Sequence, residues 1–402
     1  MNDVVESQNT PSRGKLDPNS MVSRTFLAFL ATAGLFYVNI MPAIVDGLVK
    51  AIDFTTEEAG FVASANVYGA AAGALLIVFL VSRLAWRPAS YAMLAVLIAT
   101  DLLSTLVTAP EAMIAIRFVH GFVGGALVGI GFAVIARTLH PDKTFGVLLV
   151  VQFGLGGVGN LYLPRLVPAF GVEILFYSLI AFSLITIAML PFLDDYAPEK
   201  RDQNEIRESD ESIRWAPLVL TLLALFTFQA GNMGLFAFII GLGESFALDR
   251  EFITWTLAAS GWIGIVGAAI VVVLHTTYGR FIPLTGAIIL TVLGILVLHN
   301  SDNRTIFLLA NCAMGITWAF VIPYLLGLCS EFDSAGRMAA LGGFASKMGL
   351  ASGPLVAGLL LVDDNYGLLI NVGAATVLVS LFACALPAIA QDRRAVKVPT
   401  AG

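Results

Sequence analysis

The chain has little charge for its length, because only 12% of its 402 residues are Asp, Glu, Lys or Arg. Soluble globular proteins carry about 25%. Hydrophobic residues make up 58% of the sequence, and the mean hydropathy is +0.88. These values exclude a water-soluble fold. One bilayer crossing takes about 20 apolar residues, so about twelve crossings with short connections would use nearly the whole chain.

Cysteine and histidine are also scarce, with 3 Cys and 4 His. Cys312, Cys329 and Cys384 lie in apolar stretches without a Cys-x-x-Cys pair, which argues against a disulfide framework, a zinc site and an iron–sulfur site. H-E-x-x-H, G-x-S-x-G and the phosphate-binding G-x-x-x-x-G-K-[ST] motifs do not occur. We therefore expect neither an enzyme nor an ATP-driven pump, and no catalytic residue, metal or cofactor.

Long apolar runs dominate the sequence and form two sets of six. The first set is 24–49, 57–81, 88–108, 111–139, 145–167 and 171–193, and the second is 215–243, 252–275, 281–299, 304–330, 336–361 and 367–390. Residues 194–214 between the sets carry 12 charges in 21 positions, so they must form a solvated linker. We predict an all-α integral membrane protein with 12 transmembrane helices in two pseudo-symmetric six-helix bundles, 24–193 and 215–390. The tails are 1–23 and 391–402.

The basic residues predict the orientation. If both termini and the linker are cytoplasmic, sixteen of the 22 Lys and Arg fall on the inside and four on the outside, a clear positive-inside bias. Arg117 and Lys347 remain within the apolar runs. The halves also repeat weakly, with VQFGLGG around Gln152 and SKMGLAS around Lys347. Two halves in the same orientation imply a two-fold axis along the membrane normal and a solute site between them near the midplane.

Three motifs carry a family resemblance. RFVHGFVGGAL from Arg117 is similar to an R-x-x-Q-G-x-x-x-small signature, with His120 at the Gln position. YVNIMPAI from Tyr37 matches an Asn-x-x-Pro pattern. The eleventh run has a Gly and Gly-Pro spacing that is often seen in the same family. Residues 22–390 thus resemble the major facilitator superfamily, which implies two-bundle transport by alternating access. The family's G-x-x-x-D-R-x-G-R-R loop is eroded, with Ser82 and Arg83 at the Asp-Arg pair, and the Gly-Pro signature of drug antiporters is missing from the fifth run.

Ionisable side chains at membrane depth are candidates for function, because burying an unpaired charge is costly. Asp101 and Arg117 sit at similar depth in a helical hairpin, which predicts a structural ion pair. A second interpretation makes Arg117 and His120, three residues apart on one helix face, part of a proton-coupling site with Asp46 as carboxylate partner. Histidine suits proton exchange because its unperturbed pKa is about 6.5. His120 could equally serve only as a hydrogen-bonding group between helices.

Lys347 lies roughly 16 Å into the eleventh run at about 1.5 Å per residue. Its run contains no acidic residue, and snorkelling from that depth is difficult. We expect it to bind an anionic group of the solute, although a purely structural role stays open. The predicted substrate-binding residues are Lys347, Asn39, Gln152, Gln229, Asn232, Asn311, Trp318 and Tyr324. The aromatic members could instead be packing residues.

These observations predict a secondary active transporter that moves a small organic anion together with protons. The alternative is a proton-driven efflux antiporter for amphipathic or toxic compounds, in which Asp46 exchanges the proton. A channel or a receptor is not excluded by any motif. Short connections suggest a bacterial inner-membrane protein, with both termini cytoplasmic. The expected partners are a small solute, protons and the lipid bilayer, without nucleic acid, and the protein is expected to be a monomer.

Overall fold

The structure is a computed structural model that describes residues 15–81, 83–196, 215–274, 277–332 and 337–395. The described residues are mostly helical and contain no β-strand. Most of the predicted linker, the outer parts of both predicted tails and Ser82 lie outside them. Leu16 and Lys15 donate hydrogen bonds to the carbonyls of Phe192 and Pro191, at 2.9 and 2.6 Å. We call this end of the molecule the terminal face and the opposite end the distal face.

We number the helices by the predicted run that each occupies. Span 1 consists of Met21–Ala33, Phe36–Asn39 and Met41–Ala51, and spans 2 to 6 are Thr56–Leu80, Trp86–Ser104, Pro110–Ile135, Pro141–Phe170 and Glu173–Met189. Span 7 consists of Trp215–Ala237 and Ile239–Ser245, and spans 8 to 12 are Arg250–Leu274, Phe281–Val297, Arg304–Ser330, Arg337–Leu360 and Tyr366–Ala395. Among the described residues, nine helices are long and apolar enough to cross a bilayer alone. Spans 1, 3 and 11 are helical too, which is consistent with twelve crossings.

Span 1 differs from the prediction of one helix over 24–49. It begins at Met21, where the Ser20 side chain caps the first turn by accepting from Ser23 N, and it breaks after Ala33 and again at Ile40. The second break is explained by Pro42, which has no amide hydrogen for the carbonyl four residues earlier. Span 2 starts cleanly, because Thr55 and Glu58 form a reciprocal capping box.

Helix packing repeats between the halves. Spans 2 and 4, 1 and 5, 3 and 6, and 3 and 4 pack together, and the equivalent pairs 8 and 10, 7 and 11, 9 and 12, and 9 and 10 do the same. The halves meet through spans 2 and 11 and through spans 5 and 8, two contacts that a two-fold axis exchanges. The predicted pseudo-symmetric pair of six-helix bundles is therefore confirmed.

Small residues allow the closest helix contacts. A Cβ atom at Gly69 or Gly73 in span 2 would overlap a backbone carbonyl of span 4, and one at Gly121 or Gly125 would overlap a carbonyl of span 2. Gly267 in span 8 is equally tight against the carbonyl of Ile316 in span 10. These glycines bring the helix backbones together and bind nothing themselves.

Candidate functional site

A cavity of about 380 Å³ lies between the two halves. Spans 1, 5, 7, 8, 10 and 11 line it, and the described lining contains no Asp, Glu, Lys, Arg or His. Its polar side chains are amides, a hydroxyl and an indole: Asn39, Gln152, Asn160, Gln229, Ser260, Asn311 and Trp318. Apolar side chains such as Phe153, Met233 and Phe236 supply most of the remaining wall. Such a cavity can surround an apolar body and hydrogen-bond a few polar groups.

The wall from the second half is a connected hydrogen-bond network. Trp318 Nε1 donates to Gln229 Oε1 at 2.6 Å, and Gln229 Nε2 donates to Ser346 Oγ at 2.7 Å. The Phe236 ring packs edge to face with Trp318 at a centroid distance of 5.7 Å. This network joins spans 7, 10 and 11, and its mutual bonds hold the amide and the indole in place before any solute binds.

The wall from the first half contains a residue that the sequence prediction missed. Asn39 Nδ2 donates to the Gln152 carbonyl at 3.4 Å, and Asn160 Nδ2 donates to the Asn39 carbonyl at 2.9 Å. Gln152, Gly156 and Asn160 all line the cavity from span 5. Their spacing of four residues places them on one helix face, a signal that could have identified Asn160 beside Gln152. Ser260 was missed too, and nothing in its sequence surroundings marks it.

Three predicted binding residues lie outside the cavity lining. Asn232 is fully buried and donates to the Phe228 carbonyl at 2.9 Å, and Tyr324 packs on Phe320 at 4.9 Å between ring centroids. Lys347 is partly buried in span 11, next to Ser346 of the network. Its ammonium group has no hydrogen bond or ion pair with any residue that the structure describes.

Asp101, Arg117 and His120 lie together in the first half, away from the cavity. Arg117 Nη1 and His120 Nε2 contact the same Asp101 oxygen, at 2.8 and 3.3 Å. Arg117 also donates to the Thr100 carbonyl at 3.0 Å, and Asn66 Nδ2 lies 2.8 Å from His120 Nδ1. Asp101 and Arg117 are completely buried, so the predicted ion pair is present. His120 belongs to the same cluster.

Asp46 is not part of that cluster. It pairs with Arg250 of span 8 and, at 3.2 Å, with Lys50 one turn along its own helix. Glu244 from the end of span 7 contacts both Lys50 and Arg250, the latter at 2.8 Å. We call these four residues, Asp46, Lys50, Glu244 and Arg250, the distal network. It joins the two halves at the distal face.

Comparison with known proteins agrees with this architecture. The sequence profile of the Major Facilitator Superfamily matches residues 25–358, so the chain belongs to this family of membrane transporters. No curated protein matches the chain significantly.

Solved structures show the same fold. A point mutant of the nucleoside transporter NupG superposes with a TM-score of 0.68 at 15% sequence identity, covering 90% of this chain and 98% of that one. The human organic anion transporter MFSD10 (TETRAN) superposes with a TM-score of 0.64 at 16% identity, covering 90% of this chain and 98% of its own. At these identities the likeness concerns the fold alone.

Proposed function

We propose that this protein is a secondary active transporter that binds a small organic solute in the central cavity and works by alternating access. The observation that carries the proposal is the cavity between two symmetry-related halves. The described hydrogen bonds and ion pairs that join these halves are concentrated at the distal face. The distal network joins the halves there, and Arg250 Nε also donates to the Pro164 carbonyl at 3.0 Å. Arg165 of span 5 adds a bond to Thr254 of span 8 at 2.7 Å.

Such links are not found between described residues at the terminal face. Among the described residues, Arg87 contacts Asp195 at the start of the linker at 2.6 Å, and Arg280 contacts Glu331 within the second half. No hydrogen bond or ion pair joins the halves near that face in the described part of the chain. A cavity closed distally and unlatched at the terminal face is one state of an alternating-access cycle. With cytoplasmic termini, as proposed from the basic residues, this state faces inward.

The solute that suits the described cavity has an apolar body and polar groups, because aromatic rings and amides line it. A small organic anion is the second candidate, and the observation favouring it is Lys347. Lys347 follows Ser346 of the network in span 11, and its ammonium group has no hydrogen bond or ion pair with a described residue. An anionic group that reached it would neutralise its charge.

Proton coupling is the proposed energy source. The cluster of Asp101, Arg117 and His120 supports it for uptake, since a buried histidine beside a carboxylate can take and return a proton. The efflux alternative places the exchanged proton on Asp46, whose partners Arg250 and Lys50 would then be released. We propose a bacterial inner-membrane location, as the short connections suggest, and a monomeric unit.

Reconstituted proteoliposomes with an imposed pH gradient test the proposal. We expect saturable movement of uridine, as an uncharged probe, or of benzoate, as an anionic one. Movement with the protons indicates uptake, and movement against them indicates efflux. Flux that rises linearly with concentration would instead indicate a channel, and no flux of either probe would contradict the transport proposal.

A further inference from the structure

Two asparagines of the cavity, Asn160 and Asn311, orient their side-chain amides in the same way, which determines the groups that a solute can meet. Asn160 Nδ2 donates to the Asn39 carbonyl at 2.9 Å, and Asn311 Nδ2 donates to the Phe307 carbonyl at 2.8 Å. Rotating either amide by half a turn would place two oxygens at these distances, so the contacts fix the orientation. Each side chain therefore presents Oδ1 as its remaining acceptor.

Neither oxygen accepts a hydrogen bond from a residue that the structure describes. Asn160 is 3% exposed, and its Oδ1 is buried. Asn311 is 6% exposed, and no described residue donates to its Oδ1. A buried acceptor without a donor is unfavourable, so native structures pair most such groups with protein, ordered water, an ion or a ligand. Asn160 belongs to the first half and Asn311 to the second, so both walls of the cavity offer an acceptor.

Prolines alter the backbone bonding of three residues of the same lining. Proline has no amide hydrogen, so the carbonyl four residues earlier loses its helical donor. The lining residues that carry such carbonyls are Asn160 before Pro164, Ala319 before Pro323 and Leu350 before Pro354. The molecule already uses one carbonyl of this kind, because Pro168 frees the carbonyl of Pro164, which accepts from Arg250 Nε at 3.0 Å.

We propose that the cavity selects an uncharged solute carrying N–H or O–H donors, which the side-chain oxygens of Asn160 and Asn311 accept. This proposal rests on the transport function proposed above. Neither an anion nor a cation would meet an opposite charge in the described lining, so its desolvation would be uncompensated. The Trp318 N–H is already bonded to Gln229, which leaves the indole ring as an apolar surface for the body of the solute.

Matched probes test charge and donors separately. Benzamide and benzoate share one shape and differ in charge, and N,N-dimethylbenzamide lacks the donors of benzamide. Uridine and uridine monophosphate form a second pair. Because a ligand stabilises the state that it binds, the unfolding temperature of the purified full chain reports binding. We expect stabilisation by uridine or benzamide, and none by the two anions or by N,N-dimethylbenzamide.

Variants assign the effect to the two oxygens. Asn160→Leu and Asn311→Leu should each weaken binding of the active probe about five- to tenfold, the effect of one hydrogen bond. Ser64→Ala is the matched control, because Ser64 Oγ is also buried without a described hydrogen-bond partner but lies in span 2 outside the lining. If Asn160→Leu does not fold, Asn311→Leu in the other half provides the same test.

The inference is overturned if an anion binds as tightly as its uncharged partner, if neither uncharged probe stabilises the protein, or if both asparagine variants keep wild-type affinity. Saturable exchange of benzoate or uridine monophosphate in proteoliposomes would overturn it while leaving the transport proposal intact. An absence of saturable exchange for every probe would contradict the transport proposal itself.

Discussion

Arg117 is completely buried, and Asp101 is the described carboxylate that neutralises its guanidinium group. Replacing it with Met keeps most of the volume but removes the positive charge of Arg117 and leaves the His120 ring as the described ion-pair contact of Asp101. We expect the free energy of unfolding to fall by about 3–5 kcal/mol, the usual effect of breaking a buried pair. Chemical unfolding of the detergent-solubilised protein measures this change.

Two further variants control that experiment. Asp101→Leu combined with Arg117→Met removes both charges and should recover most of the lost stability. Arg87→Met breaks an ion pair whose Asp195 side chain is 77% exposed, so it should cost no more than about 1 kcal/mol. Equal losses for Arg87→Met and Arg117→Met would contradict the buried-pair account.

Substitution of His120 distinguishes a proton-coupling role of this residue from a purely structural one. In His120→Asn the group contacting Asp101 can no longer gain a proton, whereas Arg117 and the Tyr37 ring beside His120 remain. We expect pH-gradient-driven uptake to be lost while solute exchange without a gradient persists. His299→Asn, which changes an exposed histidine bonded to Asn371, is the control. A wild-type pH profile in His120→Asn would leave His120 a purely structural role.

Lys347 tests the anionic alternative. If it binds a carboxylate, Lys347→Ala should weaken benzoate binding about tenfold or more, since hydrogen bonds to charged groups contribute roughly 1.5–3 kcal/mol. Titration calorimetry gives the affinity, and the unfolding temperature without ligand checks the fold. Unchanged benzoate affinity and transport rate in Lys347→Ala would rule out this role.

At the scale of helices, the contact between spans 2 and 4 depends on glycine. A Cβ at Gly121 would overlap the carbonyl of Asn66, whose side chain also holds His120. Gly121→Ala should therefore lower the free energy of unfolding by about 1–3 kcal/mol through overpacking. A Cβ at Gly146 in span 5 meets nothing within 4 Å, so Gly146→Ala should be neutral or slightly stabilising. Thermal unfolding of both variants checks this, and similar losses would contradict it.

The helices themselves were predictable because each apolar run is long and bounded by charge, turns or proline. The Asp101–Arg117 pair followed from hairpin depth, which needs only local sequence. The breaks of span 1 did not follow, because Asn39 and Ile40 lie in a continuous apolar run and only Pro42 hinted at them. Asn160 could have been found from its place on the same helix face as Gln152, but its bond to Asn39, 121 residues away in the chain, could not.

At the scale of the whole molecule, the contacts between the halves could not be predicted from the sequence. Asp46 was grouped with His120, yet it bonds to Arg250, 204 residues away, and Asp101 is the carboxylate beside His120. The weak internal repeat correctly indicated two equivalent halves. It carried no information on which charges meet across the interface, because such pairs form only once the halves are assembled.

The distal network should hold the halves in the observed state. Arg250 is partly exposed, so removing its bonds to Asp46 and Glu244 should shift the balance between states by about 1–2 kcal/mol, or about 5- to 30-fold. Arg250→Gln makes that change. Arg304→Gln is the matched control, because Arg304 bonds to Asp249 at the same face within one half.

The most direct test of alternating access measures two distances across the halves with paired spin labels. One pair, Ala51→Cys and Asp363→Cys, reports on the distal face, and the other, Arg83→Cys and Tyr278→Cys, reports on the terminal face; all four positions are exposed. In Arg250→Gln we predict that the distal distance lengthens while the terminal distance shortens, with no change in Arg304→Gln. Unchanged distances in Arg250→Gln, or both distances moving in the same direction, would contradict alternating access about the central cavity.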